Sequence, residues 1–293
     1  MTIKRIGVLA HPTRPQTVPV AERVAAALQK NGLDVWQFSE WDDSTVRPLM
    51  AGTDLLVAIG GDGSMLRAAR VCAPDDVPML GINMGNLGFL TEIRNPDGWD
   101  EAIDKVLAGN YWIEPRMRIT ISARRDGQVI SESDALNDVV ISRGARTHII
   151  SLETYIDSDW TTTYNADALI IATATGSTAY ALACGGPILP PELRNILVVP
   201  VAPHLSLERP IVLPEGATIQ VIVTPDSQSE IMLSADGIAM GDLCSGDHVV
   251  VQASGNVSRF VRLRERNYFY RSLLDRLEPR MPVPSVPERK QLG

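Results

Sequence analysis

The chain has 293 residues, room for two domains or one large one. Its 45% hydrophobic and 21% charged residues suit a globular protein, and no apolar run approaches the roughly 20 residues of a membrane helix. A net charge of −8 argues against nonspecific nucleic-acid binding, so any phosphate site must be local: backbone amides, a few cations or a metal. Three widely spaced cysteines (Cys72, Cys184, Cys244) form neither a disulfide framework nor a zinc motif. The first ten residues read as a strand rather than a signal peptide, and a cytoplasmic location is expected.

Residues 3–10 and 33–38 read as strands around a helix over 20–29, with Pro19 suited to its first turn and Asn31-Gly32 to its C-cap. A third strand, 54–59, runs into Gly60-Gly61-Asp62-Gly63, with Ser64 a candidate N-cap for the apolar-patterned segment that Pro74 ends. Strand, Gly-rich turn, helix is where a parallel sheet takes a ligand at its carboxyl edge. Glycines there let backbone N–H groups face a cavity and a phosphate come close. Asp62 among them would repel a phosphate unless it takes a proton from an attacking hydroxyl or holds a metal. Asp-Gly is also a common turn pair, so this stretch alone leaves both readings open. A further strand, 78–82, leads into a second Gly/Asn loop, Asn83-Met84-Gly85-Asn86-Leu87-Gly88-Phe89-Leu90. Two such loops after neighbouring parallel strands would line one crevice. A helix over 97–107, with Asp97 as N-cap and Gly109-Asn110 behind it, completes an α/β pattern. No GxGxxG follows the first strand, which argues against an ordinary dinucleotide fingerprint.

Near residue 111 the pattern changes. Residues 116–123 alternate with period two, and Arg125-Asp126-Gly127 reads as a hairpin turn. Strand-like runs follow at 139–142, 149–156, 169–173, 196–201, 219–223, 231–234 and 249–252, implying a β-rich part of two packed sheets. One stretch interrupts them: Thr175-Gly176-Ser177-Thr178-Ala179-Tyr180, turning Ala-rich until Gly185-Gly186-Pro187. It reads as a short helix with an N-terminus rich in N–H and hydroxyl donors, an anion or carbonyl site or a capped structural helix. A last amphipathic piece, 268–277, precedes a Pro- and charge-rich tail from 278 that is expected to be mobile. The expected organisation is an α/β domain with a parallel sheet (1–110), a β-sandwich-like domain (111–264), and a C-terminal segment (265–293) packing back on the core.

Taken in order, these stretches resemble the NAD kinase family: Gly60-Gly61-Asp62-Gly63, the loop from Asn83 to Leu90, Leu136-Asn137-Asp138-Val139-Val140, and Thr175 through Pro187. Pro203-His204-Leu205-Ser206 and Arg209-Pro210 continue the match. GGDG occurs also in lipid kinases and phosphofructokinases; the second loop and the TGSTAY stretch separate this chain from those. The resemblance implies a Rossmann-like α/β domain followed by a β-sandwich-like one. It implies phosphoryl transfer from ATP, or from polyphosphate, to the adenosine ribose 2′-hydroxyl of NAD, with Mg²⁺ or another divalent metal bridged by the donor phosphates and no metal ligand from the protein. Asp62 would be the general base, flanked by Gly61 and Gly63. Arg67 would face phosphate and Asn83 would lie in the nucleotide site. Asn137 and Asp138 would meet a ribose or adenine edge. Thr175, Gly176, Ser177, Thr178, Ala179, Tyr180 and Ala183 would lie against the dinucleotide. Asp167 would fall at the nicotinamide end and His148 near the donor or ribose phosphates. A homodimer or homotetramer is implied, with no nucleic-acid or membrane partner.

The chain departs from the family at several positions. Asp138 replaces the usual Glu, Ala166-Asp167-Ala168 replaces Gly-Asp-Gly, Ala174 stands for Pro, Ala183 for Ser and Ile238 for a polar residue. Alanine at 166 or 168 would be strained if either needed a positive φ. Together these changes thin the polar contacts to NAD, so weaker NAD binding with retained activity is expected. The alternative is an NAD(P)-binding sensor with the same fold and little turnover.

Overall fold

The apolar runs of the first 83 residues become four parallel strands. In the computed structural model, which describes residues 3–39, 41, 43–85, 88–144, 148–225, 227 and 230–277, they alternate with helices. The order is β1 (Arg5–Leu9), α1 (Val18–Lys30), β2 (Asp34–Phe38), α2 (Asp43–Met50), β3 (Leu55–Gly60), α3 (Asp62–Cys72), β4 (Met79–Asn83) and α4 (Trp99–Leu107). The sheet runs β2-β1-β3-β4, and every residue of β3 and β4 is buried, as a strand covered on both faces requires. Gly32, at φ +80°, follows the α1 C-cap Asn31.

Two caps differ from expectation. The backbone turns at Gly61, so α3 begins at Asp62, and Ser64 is a buried first-turn residue rather than the cap. Asn95, not Asp97, opens the α4 region: its Oδ1 accepts from the N–H groups of Asp97 (3.1 Å) and Gly98 (3.3 Å) across a 3₁₀ turn. Sequence reading leaves α2 unassigned because Pro48 falls inside it.

The second part contains β5 (Trp112–Arg125), β6 (Gln128–Ala135), β7 (Asp138–Arg143), β8 (Ile150–Ile156), β9 (Asp159–Ala166), β10 (Ala168–Thr173), α5 (Tyr180–Ala183), β11 (Asn195–Val201), β12 (Ile211–Pro214), β13 (Ile219–Val223), β14 (Ile231–Ala235), β15 (Ile238–Leu243), β16 (His248–Arg262) and α6 (Tyr268–Leu277). The β5–β6 turn is the expected one, with Asp126 and Gly127 both at positive φ. Six antiparallel strands form one sheet in the order β12-β11-β10-β7-β14-β15. The other sheet does not stop at residue 111. β16 pairs along most of its length with β5 and then reaches β4, Phe260 opposite Met79, so parallel and antiparallel strands share one ten-stranded sheet. Ile119, Ile121, Val139, Ile141, Leu169, Ile171, Val221 and Val251 fill the space between the two sheets.

Helix α6 packs back on this body through the buried Tyr268 and Phe269. The tail from 278, expected to be mobile, lies outside the described residues. Among the described residues no helix is long and apolar enough to cross a membrane.

Candidate active site

Strands β3 and β4 are neighbours with Gly60 opposite Asn83, so the two Gly-rich loops leave the sheet side by side. They are joined by Asp62. Its Oδ2 accepts the N–H of Phe89 at 2.7 Å and its Oδ1 that of Leu90 at 2.9 Å. The Met84 N–H to Gly60 carbonyl bond, 3.0 Å, ties the loops a second time. A carboxylate has about four acceptor sites, so two amides fix Asp62 and leave lone pairs for a further proton. Gly88 permits this arrangement. A Cβ there would overlap both Asp62 oxygens, the farther at 2.6 Å. Gly61 and Gly63 are different, since a Cβ on either would meet nothing within 4 Å. Their faces open onto space that a ligand can use. Residues 86 and 87 of the second loop lie outside the described residues.

Across the cleft, Asp138 opens β7 and Asp236 sits in the β14–β15 turn. Asp236 accepts the N–H groups of Leu136 (2.8 Å), Asn137 (2.7 Å) and Asp138 (3.3 Å). Burial, and then the charge of Asp236, pushes the Asp138 carboxyl up to about 7. Burial raises Asp236 as well, against its three amide donors. A cavity of about 240 Å³ joins the two halves, lined by Gly63, Leu66 and Arg67 of α3 and by Asp236, Gly237 and Ile238 of the turn. That the Asp236 carboxylate holds the Asn137-Asp138 backbone is not visible in the sequence.

The TGSTAY stretch folds differently from expectation. It forms a 3₁₀ turn (Gly176–Thr178) and then α5, a single helical turn, so it offers no helix N-terminus to an anion. Its hydroxyls are used internally. Ser177 Oγ donates to the Ala174 carbonyl (2.7 Å) and accepts the Leu189 N–H (3.0 Å), and Thr178 Oγ1 donates to the Thr175 carbonyl (3.2 Å). The stretch instead fixes a surface. A Cβ on Gly176 would overlap the Asn137 peptide, lying 2.9 Å from its Cα, so the two segments touch backbone to backbone. Tyr180 and Ala183 are exposed, Thr175 buried, and Ala179 half-buried. Burial, the Cys184 thiol, and the charges of Asp167 and Asp138 all raise the Tyr180 phenol.

The remaining candidates divide. Asp167 accepts from Arg143 Nε at 2.8 Å, a half-buried ion pair. Asn83 is buried and its amide donates to the Gly85 (2.6 Å) and Arg94 (3.3 Å) carbonyls, so it shapes the second loop. His148 is exposed, beside residues 145–147, which lie outside the described residues. Arg67 is exposed on α3, and burial together with the charges of Arg14 and Arg67 lowers the His11 imidazole. His11 and Arg14, on the loop after β1, were missed in the sequence. Their signal was position: that loop too leaves the carboxyl edge of the parallel sheet. Ala166 and Ala168 lie in extended β9 and β10 and neither has a positive φ, so alanine is unstrained at both.

Comparison with known proteins fits this geometry. The sequence matches the ATP-NAD kinase N-terminal domain over residues 36–111 and the ATP-NAD kinase C-terminal domain over 136–263. It is 38% identical over 275 residues to the NAD kinase of Chloroflexus aurantiacus, covering 94% of this chain and 99% of that protein. The chain belongs to the NAD kinase family. The Pseudomonas fluorescens NAD kinase is 43% identical over 216 residues, covering 74% of this chain and 73% of that one. In structure, yeast NADH kinase complexed with NADH superposes with a TM-score of 0.83 at 25% identity, covering 94% and 88% of the two chains. An NAD kinase from Archaeoglobus fulgidus in complex with ATP shares the fold, with a TM-score of 0.71 at 24% identity over 92% and 97%.

The raised carboxyl of Asp138 has a measurable consequence. A carboxyl moved from 3.8 to about 7 binds its proton more tightly folded than unfolded, so its stabilising contribution is complete below pH 4 and lost as pH rises through 7. Asp138→Asn cannot titrate. Urea unfolding from pH 5 to 8 is expected to show wild type losing stability relative to this variant, by on the order of 2–3 kcal/mol. Parallel curves would mean that Asp138 is ionised throughout.

Proposed function

We propose that this NAD kinase family member transfers the terminal phosphoryl group of ATP to the adenosine ribose 2′-hydroxyl of NAD, giving NADP, with Asp62 as general base. One observation carries the reading: the Asp62 carboxylate is fixed by two amides, keeps free lone pairs, and stands between two glycines whose faces are open. A ribose hydroxyl is a weak nucleophile. As its oxygen bonds the γ-phosphorus and the bond to ADP breaks, its proton passes to Asp62.

Arg67, with Arg14 and His11 nearby, supplies positive charge for the donor phosphates, and His148 lies toward the same phosphates. Asn137 and Asp138 receive a ribose or adenine edge of NAD, and the surface of Thr178, Ala179 and Tyr180 lies against its adenine and nicotinamide riboside. Asp167 marks the nicotinamide end and Ala183 lies against the dinucleotide. Below about pH 7 Asp138 carries a proton and can donate to a ribose or adenine acceptor. We assign the divalent metal, Mg²⁺ in the first instance, to the donor phosphates as part of the substrate. Among the described residues no three His, Cys, Asp or Glu side chains come together as a metal site. Residues 1–110 would carry the base and 111–264 the dinucleotide site. Exposed Trp160 on the edge strand β9 and Leu205, 90% exposed, support a homo-oligomer. Three free cysteines are in keeping with the cytoplasm.

The test is to incubate the protein with NAD, ATP and Mg²⁺ and to assay NADP with an NADP-specific dehydrogenase, running NADH and polyphosphate in parallel. NADP is the expected product. Bound NAD without product from any donor would overturn the reading in favour of a sensor.

A further inference from the structure

The loop that holds Asp62 is itself held from inside the protein. Leu90, whose N–H binds Asp62 Oδ1, offers its carbonyl to Arg262 Nη1 at 3.1 Å. Arg262 ends β16 and is fully buried. Its Nε donates to Glu114 Oε2 at 2.6 Å and its Nη1 to Glu92 Oε2 at 3.3 Å. Glu92, two residues after Leu90, also accepts the N–H groups of Leu263 and Arg264, each at 2.9 Å. Glu114 on β5 takes Arg116 and, at 2.7 Å, the hydroxyl of Tyr268, the first residue of α6. The Arg262 guanidinium also lies 4.9 Å from the centre of the Tyr268 ring and 5.1 Å from that of Phe260. Next along α6, Phe269 meets Phe89, with ring centres 6.2 Å apart.

A continuous path thus runs from α6 through Tyr268, Glu114 and Arg262 to Leu90 and Asp62. Buried ion networks are weak contributors to stability, since apolar side chains of equal volume serve a core as well. What this one adds is direction. Leu90 is gripped at its N–H by Asp62 and at its carbonyl by Arg262, so the two peptide planes on either side of Leu90 cannot rotate independently of the guanidinium. A flat, five-donor side chain fixed by two carboxylates is suited to such a clamp. We propose that Arg262, locked by α6 through Tyr268 and Glu114, is a positioning residue for Asp62. Docking of the C-terminal helix would set the placement of the base, about thirty residues before the first member of the network and some two hundred before the last. This rests on the reading of Asp62 as base.

Two variants test it. Tyr268→Phe removes one hydroxyl and keeps the ring; Arg262→Lys keeps the charge and loses the fork. A small misplacement of a catalytic group can cost about 10²-fold, so Arg262→Lys is expected to lower kcat by roughly 10–10²-fold and Tyr268→Phe by about 5-fold, with KM for NAD and ATP within about twofold. Placed in an Asp62→Asn background, the same changes should cost less than about twofold, because the group they position is gone. Equal losses in both backgrounds, or full kcat in a folded Tyr268→Phe variant, would overturn the proposal. If Arg262→Lys does not fold, Tyr268→Phe decides alone. Hydrogen exchange gives a readout independent of turnover: the Phe89 and Leu90 amides should exchange about tenfold faster in Tyr268→Phe than in wild type. Unchanged exchange there overturns the clamp. A wild-type chain that makes no NADP while its variants show this faster exchange would fail the reading of function and leave the clamp standing.

Discussion

Asp62→Asn is expected to lower kcat by roughly 10²–10⁴-fold, the range for loss of a general base, with NAD affinity kept within a few-fold. The substitution keeps the side-chain volume, but the structure shows that it is not silent in the free protein. Both Asp62 oxygens accept a backbone N–H, from Phe89 and Leu90. Asparagine has one oxygen and one NH₂, so one of the two amides must face a donor. Leaving a half-buried N–H unpaired costs about 1–3 kcal/mol, so the melting temperature should fall by several degrees. Calorimetry reads the loss of stability apart from the loss of turnover. If another carboxylate were the base, Asp138 would be first in line, yet burial and Asp236 keep it protonated below about 7. At pH 6 it is a poor acceptor. Turnover at the wild-type level by a folded Asp62→Asn protein at pH 6 would therefore exclude both carboxylates and place the base elsewhere. Kinetics at pH 6 and 8, with calorimetry on the same samples, distinguish these outcomes.

Much of the scaffold is legible because its signals are local. The five apolar residues before Gly60, the Asn31-Gly32 cap and the Asp126-Gly127 turn each report a short-range preference that the fold keeps. Strands β6, β9 and β15 escape because they carry mostly polar or exposed residues. Only 249–252 of β16 was legible, since a bulge between Ala253 and Val257 breaks the alternation. In the period-two pattern of β5, Arg116 and Arg118 alternate with Met117 and Ile119. Both arginines are buried, because the far face of that strand is covered too. Likewise Glu92, Glu114 and Arg262 are ordinary charges in sequence, and their partners lie up to 172 residues away. The site shows the same division. Asp62 announced itself through its glycines, whereas Asp236, His11 and Arg14 acquire meaning only when distant loops meet.

Gly88→Ala tests the geometry without touching a titratable group. The obstacle is contact. The new Cβ would overlap both carboxylate oxygens of Asp62, and neither can yield while still accepting from Phe89 and Leu90. Either the carboxylate rotates off its amides or the loop moves away from β3. Each displaces the base by on the order of 1 Å, for which a kcat loss of about 10²-fold is expected, together with about 1–3 kcal/mol of stability from the broken hydrogen bonds. Gly63→Ala is the control, because its Cβ meets nothing within 4 Å in the free protein. It should melt with wild type and lose activity only where substrate crowds the added methyl. In Gly88→Ala combined with Asp62→Asn, the methyl should add less than about twofold to the loss from Asp62→Asn alone. Full activity in a folded Gly88→Ala protein would mean that Asp62 acts from more than one position, and that its two amide bonds serve the loop rather than the base.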